Sequence, residues 1–272
     1  MFMLLRTKVK TYDLSERTHV MGILNVTPDS FSDGGKYVEE DQAVTQALHM
    51  QKHGADMIDV GGESTRPNHQ PVSLQEEIDR VVPIIQAISR KVTVPISIDT
   101  YKAETAKQAI QAGADIINDI WGAKKDPEIA DVAAETGAPI ILMHNRDNQN
   151  YKSLLEDMQR DLEESIEIAK KAGVRDEQII LDPGIGFAKS MQDNFVVMNH
   201  LERFTTLGYP LLLGTSRKSF IGTVLDVPAH ERDNGTGATT CLGIAKGASI
   251  VRVHHVQLNK EMAMMMDAML RA

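Results

Sequence analysis

Short apolar runs that stop at polar residues recur along the chain, and each is followed by an amphipathic stretch. Eight stand out: His19 to Asn25, Ala55 to Val60, Pro95 to Asp99, Ala114 to Asp119, Pro139 to Met143, Gln178 to Asp182, Pro210 to Gly214 and Ser249 to Val253. Most are too short for helices and are rich in Ile, Val and Leu, as strands buried on both faces of a parallel sheet are. The segments between them carry helix signals. Ser73-Leu74-Gln75-Glu76 has the form of a capping box, with Val81, Val82, Ile85 and Ile88 following at helical spacing. Asp126-Pro127 reads as a cap with proline at the first helical position, and Thr100 as the cap of the third helix. Gly54, Gly113, Gly137, Gly173 and Gly247 each precede a strand, where glycine tolerates the left-handed geometry that ends a helix. This quasi-repeat predicts a single-domain (β/α)8 TIM barrel over residues 1–272. An open doubly wound sheet fits less well, because no Gly-x-Gly-x-x-Gly follows the first run, and the pair Gly184-x-Gly186 after the sixth is a weak signal.

Composition narrows the class. Hydrophobic residues make up 42% of the chain, enough for a large core, and the net charge of −9 gives no broad basic footprint for nucleic acid. An anionic substrate would therefore need a local cationic pocket. The single cysteine, Cys241, can form neither an internal disulfide nor a zinc cluster, and it reads as a helix residue against the core. There is no apolar stretch of about 18 residues, so no membrane span is expected. Met1 to Arg6 is too short an apolar run for a signal peptide, and the expected compartment is the cytoplasm.

In a (β/α)8 barrel the chemistry lies at the carboxyl ends of the strands. The runs end in Asn25, in Asp59 with Gly61 to Pro67 beyond, in Asp99, Asn118-Asp119, Met143-His144-Asn145, Asp182-Pro183-Gly184, Ser216-Arg217-Lys218-Ser219, and Arg252 with His254. An Asp or Asn at such a place can equally cap a helix or hold a turn, and Asp119 is open to reading as a loop anchor. His19, His49, His53, His69, His200 and His230 read as surface or packing residues. Met262, Met264, Met265 and Met266 read as a helix face. Two motifs stand above this background. Asn25 to Gly35 is a long polar loop with one Phe directly after a buried strand, costly to order without a purpose. The Thr215-to-Ser219 segment, with Arg252 and His254 two residues apart on an extended run, makes an anion site where this fold usually binds phosphate. The start of the eighth helix adds amide donors there.

These residues closely resemble the dihydropteroate synthase family. The resemblance rests on Met21 to Gly35 and Ile58 to Pro67, then Ile98-Asp99-Thr100, Ile117-Asn118-Asp119, Leu142-Met143-His144, Leu181 to Phe187, Thr215 to Ser219 and Val251 to His254. It implies condensation of 6-hydroxymethyl-7,8-dihydropterin pyrophosphate with p-aminobenzoate. It also implies that Asp99, Asn118, Met143, Asp182 and Lys218 hold the pterin, and that Asn25, Arg252 and His254 hold the pyrophosphate, with Mg2+ beside Asn25. Thr65, Arg66, Pro67, Phe187 and Ser219 would shape the p-aminobenzoate pocket. Lys218, Asp99, Asp33 and Arg252 would act catalytically, and loops 27–35 and 63–70 would close over the site. A homodimer is expected, with Met262, Met266 and Met269 either at its surface or in core packing, and sulfonamides would be expected inhibitors. Three other readings compete. A pterin-binding methyltransferase barrel serving a corrinoid protein would need no pyrophosphate site. A Schiff-base aldolase would need Lys218 desolvated on a strand. A barrel kept only as a binding or scaffold subunit would need no complete set of polar strand ends.

Overall fold

The computed structural model describes residues 3–26, 36–63 and 72–272. A short antiparallel hairpin, β1 (Leu4–Arg6) and β2 (Thr11–Asp13), comes first. The eight apolar runs become β3 (His19–Asn25), β4 (Met57–Gly61), β5 (Ile96–Asp99), β6 (Ile116–Asp119), β7 (Ile140–Met143), β8 (Ile179–Asp182), β9 (Leu211–Leu213) and β10 (Ala248–Val253). All are parallel and close into one barrel in the order β10-β3-β4-β5-β6-β7-β8-β9. The ten helices among the described residues are α1 (Lys36–Lys52), α2 (Leu74–Ser89), α3 (Ala103–Ala112), α4 (Glu128–Thr136), α5 (Leu154–Lys171), α6 (Met191–Asn199), α7 (Glu202–Thr205), α8 (Ser219–Leu225), α9 (Asp233–Ala245) and α10 (Val256–Leu270).

The two-residue strand repeat divides each strand between two cores. One set, including Val20, Leu24, Ile58, Val60 and Ile117, faces the helices. The other set, Met21, Met57, Ile116, Ile141, Ile180, Leu212 and Ile250, fills the barrel at its amino end. Leu5, Tyr12 and Leu14 from the hairpin region close that layer from below. The hairpin escapes sequence reading because three-residue strands carry no measurable periodicity. It is tied to the barrel floor by Tyr12, whose hydroxyl donates to the Asp56 carbonyl at 2.7 Å. The Asp56 carboxylate in turn accepts from Arg17, Lys260 and the Val20 amide.

The five glycines ahead of strands all take positive φ, and Gly113 and Gly137 are left-handed C-caps of α3 and α4. Three cap assignments need correction. Ser73 accepts from the Glu76 amide at 3.3 Å, but the Glu76 carboxylate pairs with Arg80 instead of closing the box. Asp126 turns away from α4 and accepts from the Ala103 amide at 2.8 Å, so it caps α3. Thr100 accepts only from Lys102, one residue ahead of that helix. Cys241 sits on α9 with part of its surface covered, and burial raises its thiol pKa.

His19 lies at the floor, 2% exposed, edge-on to Tyr12, with no hydrogen-bond partner at Nδ1. Burial, reinforced by Arg17, pulls its pKa from 6.5 to about 4. The unfolded chain thus binds this proton over a window in which the native chain does not. Stability is expected to fall as pH drops from about 6.5 toward 4, by on the order of 3 kcal/mol from this residue. Urea unfolding at pH 7 and pH 5 should show a shallower loss in His19→Gln than in the parent, and equal losses would refute the assignment.

Candidate active site

Where β4, β5, β6 and β10 reach their carboxyl ends, the inward positions turn from apolar to charged. Arg252 on β10 donates from Nε to Asp59 Oδ2 at 2.6 Å and from Nη2 to Asp99 Oδ2 at 2.6 Å. Asn118 on β6 donates to the same Asp59 oxygen at 3.1 Å. The register places Asp99 beside both Gly61 and Asn118, so this network spans neighbouring strands. Asp59 is fully buried, and its Oδ1 has no hydrogen-bond partner. Burial pushes the Asp99 pKa upward against the pull of Arg252, and Asp59 adds to the rise. The two carboxylates raise the pKa of Arg252 itself, which keeps it a cation.

Asp182 ends β8 and pairs in register with Met143 at the end of β7. Both are buried, and Asp182 Oδ1 accepts from the Gly184 amide at 2.7 Å. Burial raises the Asp182 pKa, while the neighbouring Lys218 charge lowers it. Lys218 stands just before α8, donates from Nζ to the Ile185 carbonyl, and lies 4.6 Å from the centre of the Phe187 ring. Burial lowers its pKa to about 8, opposed by Asp182, and Arg252 lowers it further. Arg252, Asp99, Asp182 and Lys218 are thus electrostatic neighbours in one cluster at the barrel mouth.

His254 lies one residue beyond β10. Its amide donates to Ser216 Oγ at 3.1 Å, and its Nδ1 sits 2.9 Å from the same oxygen. Asn25 is the exposed last residue of β3, and Ser219 the exposed first residue of α8. The expected residues Asp33, Thr65, Arg66 and Pro67, and almost all of loops 27–35 and 63–70, lie outside the described residues.

A family model described as pterin binding enzyme matches residues 21–254. The dihydropteroate synthase of Bacillus subtilis is 60% identical over 266 residues, covering 98% of this chain and 93% of the relative. That of Clostridium beijerinckii is 59% identical over 263 residues, covering 96% and 98%. The chain belongs to the dihydropteroate synthase family. Solved dihydropteroate synthases share its fold. The Clostridium difficile enzyme with pteroic acid has a TM-score of 0.94 at 49% identity, covering 96% of this chain and 100% of that one. The Xanthomonas albilineans enzyme with 4-aminobenzoic acid has a TM-score of 0.95 at 36% identity, covering all of both chains.

Within this dihydropteroate synthase fold, some polar strand ends are structural. Asp119 accepts from the Trp121 amide at 2.8 Å and from the Ala123 amide, so it anchors a loop. Arg217, grouped with the anion site on sequence, instead makes a two-pronged pair with Asp233 at 2.7 and 2.8 Å. Other residues were missed. Asp59 shares the inward face with Met57 and Gly61, so its two-residue spacing was the available signal. Ser216, which fixes His254, had none beyond its motif.

Removing Arg252 would leave Asp59 and Asp99 facing each other without a cation. Arg252→Met is expected to cost about 3–5 kcal/mol at neutral pH, as broken buried pairs do. Adding Asp59→Asn should restore part of that loss. Strict additivity of the two substitutions in urea unfolding would sink the idea that charge balance holds this cluster.

Proposed function

We propose that the chain condenses 6-hydroxymethyl-7,8-dihydropterin pyrophosphate with p-aminobenzoate, giving 7,8-dihydropteroate and pyrophosphate in folate biosynthesis. The observation that carries this reading is the charged cluster of Asp59, Asp99, Asn118, Asp182, Lys218 and Arg252 inside one mouth of a closed barrel. The 60% identity to a dihydropteroate synthase supports it. The same match favours the synthase over the corrinoid-dependent methyltransferase.

The flat donor edge of a pterin suits the carboxylate of Asp182, which can accept two N–H groups. Asn118 can donate and accept, Lys218 can serve the acceptor-bearing side, and Met143 gives an apolar wall. Asn25, Arg252 and His254 would take the pyrophosphate. Arg252 has Nη1 in reserve, since only Nε and Nη2 serve Asp59 and Asp99. Mg2+ fits on the chemistry of its donors: Asn25 offers one hard amide oxygen at the mouth, and this ion takes most of its ligands from water and phosphate. No group of three His, Cys, Asp or Glu able to hold a metal exists among the described residues. When bound, Mg2+ would neutralise charge on the pyrophosphate.

The C–O bond of the pterin methylene breaks, and its electron pair leaves with the pyrophosphate oxygen. Arg252 and His254 hold that developing charge. The cation left behind spreads into the pterin ring, where Asp99 and Asp33 stabilise it. The lone pair of the arylamine forms the C–N bond, and the ammonium proton passes to solvent or to pyrophosphate. An arylamine is nucleophilic as the free base, so no strong general base is required. Phe187 and Ser219, with Thr65, Arg66 and Pro67, would shape the arylamine pocket. Loops 27–35 and 63–70 would exclude water from the cation. A Yersinia pestis dihydropteroate synthase has been solved with a sulfonamide drug, and a sulfonamide should compete for the same pocket here.

The site as drawn lies in one subunit, and a homodimer is part of this proposal. Met262 packs against Gly237 and Met266 on the core, each with part of its surface still exposed. Met264, Met265, Met269 and Leu270 on α10, with Leu242 on α9, are among the exposed apolar residues an interface could use. A cytoplasmic location accords with this substrate chemistry, and no helix among the described residues is long and apolar enough to cross a membrane.

Lys218→Ala should abolish synthesis while circular dichroism and unfolding midpoint stay near the parent's. Near-normal turnover would count heavily against the site. In calorimetry, p-aminobenzoate should bind only once pyrophosphate and Mg2+ are present. Equal binding without them would break the proposed assembly of the pocket.

A further inference from the structure

We propose that Lys189, whose hydrogen bonds go to His144 and to the backbone and not to the charged cluster, is a positioning residue: from behind the turn after β8 it fixes the backbone that carries Phe187 and meets Lys218. The inference rests on the site described above and extends it to a residue outside the mouth.

The turn has one backbone hydrogen bond of its own, from the Phe187 amide to the Gly184 carbonyl at 3.1 Å. Gly184, Gly186 and Ala188 have φ of +65°, +85° and +48°, so left-handed residues alternate with ordinary ones, and Ala188 has no glycine's licence for that geometry. Gly184 is pressed so close to the strand-end backbone that a Cβ there would lie 2.0 Å from the His144 carbonyl oxygen. Alternation also turns successive carbonyls to opposite sides. Ile185 presents its carbonyl to Lys218 Nζ. Gly184 and Phe187 present theirs to Lys189 Nζ, at 2.9 and 3.0 Å. The third acceptor of Lys189 is His144 Nδ1 at 3.0 Å. Burial pulls the Lys189 pKa down to about 7, while the three acceptors favour its ammonium form and leave no donor for a substrate, which rules out a direct catalytic role.

The charge is held from further back. His144 can accept at Nδ1 only if it is neutral, with its hydrogen on Nε2, and Nε2 lies 2.9 Å from Asp161 Oδ2. Burial, which pulls the His144 pKa to about 4, favours that neutral ring. Asp161 also accepts from Arg146 and stands 3.9 Å from Lys124. Lys189, His144 and Asp161 thus form a chain that links a buried cation to a carboxylate at the barrel's outer layer. Around the turn, Asn194 accepts from the Gly186 amide at 2.6 Å, and the Tyr151 hydroxyl donates to the Ala188 carbonyl at 2.9 Å. Neither of these reaches the two carbonyls that Lys189 gathers. Without it, the Phe187 carbonyl would lose its side-chain donor and the Gly184 carbonyl would keep only the Phe187 amide at 3.1 Å, and the turn would relax while Asp99, Asn118 and Asp182 stayed on their strands. The loss should therefore fall on the arylamine side, through Phe187.

The test is steady-state kinetics on Lys189→Met, with the pyrophosphorylated dihydropterin saturating. KM for p-aminobenzoate should rise about tenfold or more while kcat changes by less than about threefold. Lys189→Arg keeps the charge but offers a planar fork to three convergent acceptors, so it should fail to restore KM. His144→Gln, which replaces the fixed ring acceptor by a longer, flexible amide, should shift KM the same way by about threefold. A folded Lys189→Met with KM within about twofold of the parent overturns the proposal, whatever its thermal stability. If that variant does not fold, an unchanged KM in His144→Gln overturns it. Failure of the site itself would look different: the parent would make no dihydropteroate, or Lys218→Ala would still make it.

Discussion

A guanidinium buried between carboxylates sets the character of the barrel mouth. Arg252 reaches Asp59 on β4 and Asp99 on β5 from β10, two and three strands away through the closure at β3. Taking these charges out of water is expensive, and only close pairing makes the arrangement tenable. The same pairing fixes the geometry. Asn118 is held by Asp59, and Lys218 feels Asp182, Arg252 and Asp99 together. The unpartnered Oδ1 of Asp59 shows that the cluster does not satisfy itself, as expected where polarity serves a ligand. An apolar core of this size would be more stable but could not recognise a pterin edge or hold a leaving anion.

The strands and their polar ends were legible because both depend on local pattern. A strand buried on two faces must be a short apolar run, and a barrel that works at one rim must end those runs in polar residues. The two cores behind this pattern follow from the alternation of inward Met57 and Asp59 with outward Ile58 and Val60. What stayed hidden depends on contacts across long stretches of chain. Asp126 caps α3 from 23 residues away. Arg217, in the middle of a motif, is turned outward by Asp233, and its left-handed φ of +57° goes with that turn. The hairpin under the barrel has no periodicity to read, yet Leu5 and Tyr12 complete the inner layer. The Gly184-x-Gly186 pair carried little on sequence, because its meaning lies in the close approach of His144 and Lys218.

The two ends of the barrel treat burial differently. At the floor, Asp56 is surrounded by donors from Arg17, Lys260, Val20 and the hairpin region, so the cost of its burial is met in full. Its pKa is lowered accordingly, mainly by Arg17 once burial is overcome. At the mouth, Asp99 and Asp182 are raised, because burial exceeds what Arg252 and Lys218 return. Carboxylates held well satisfied stabilise a fold. Carboxylates held short of partners favour a ligand that supplies the missing donors or positive charge. Burial raises Asp115 at the amino end and the loop anchor Asp119 as well, so what marks the chemical end is the raised pair Asp99 and Asp182 standing beside Arg252 and Lys218.

The mouth itself is divided between rigid and adjustable parts. Asp99, Asn118, Asp182 and Arg252 sit on strands locked in register, so a pterin held by them would meet a preformed floor. Phe187, Lys218 and Ser219 sit on turns or at a helix start, where position depends on side-chain braces. A pocket whose second half is made of turns assembles more readily once its first half is filled, which is the physical basis for ordered binding. It also gives a buried lysine behind the turn a purpose. The turn at 184–188 presents one carbonyl forward to Lys218 and two backward, and a three-donor cation is the side chain that can gather the backward pair and still be anchored by His144. In this arrangement Lys218 stands beside Asp182, Asp99 and Arg252 at the mouth, and Lys189 stands behind the turn against which it is set.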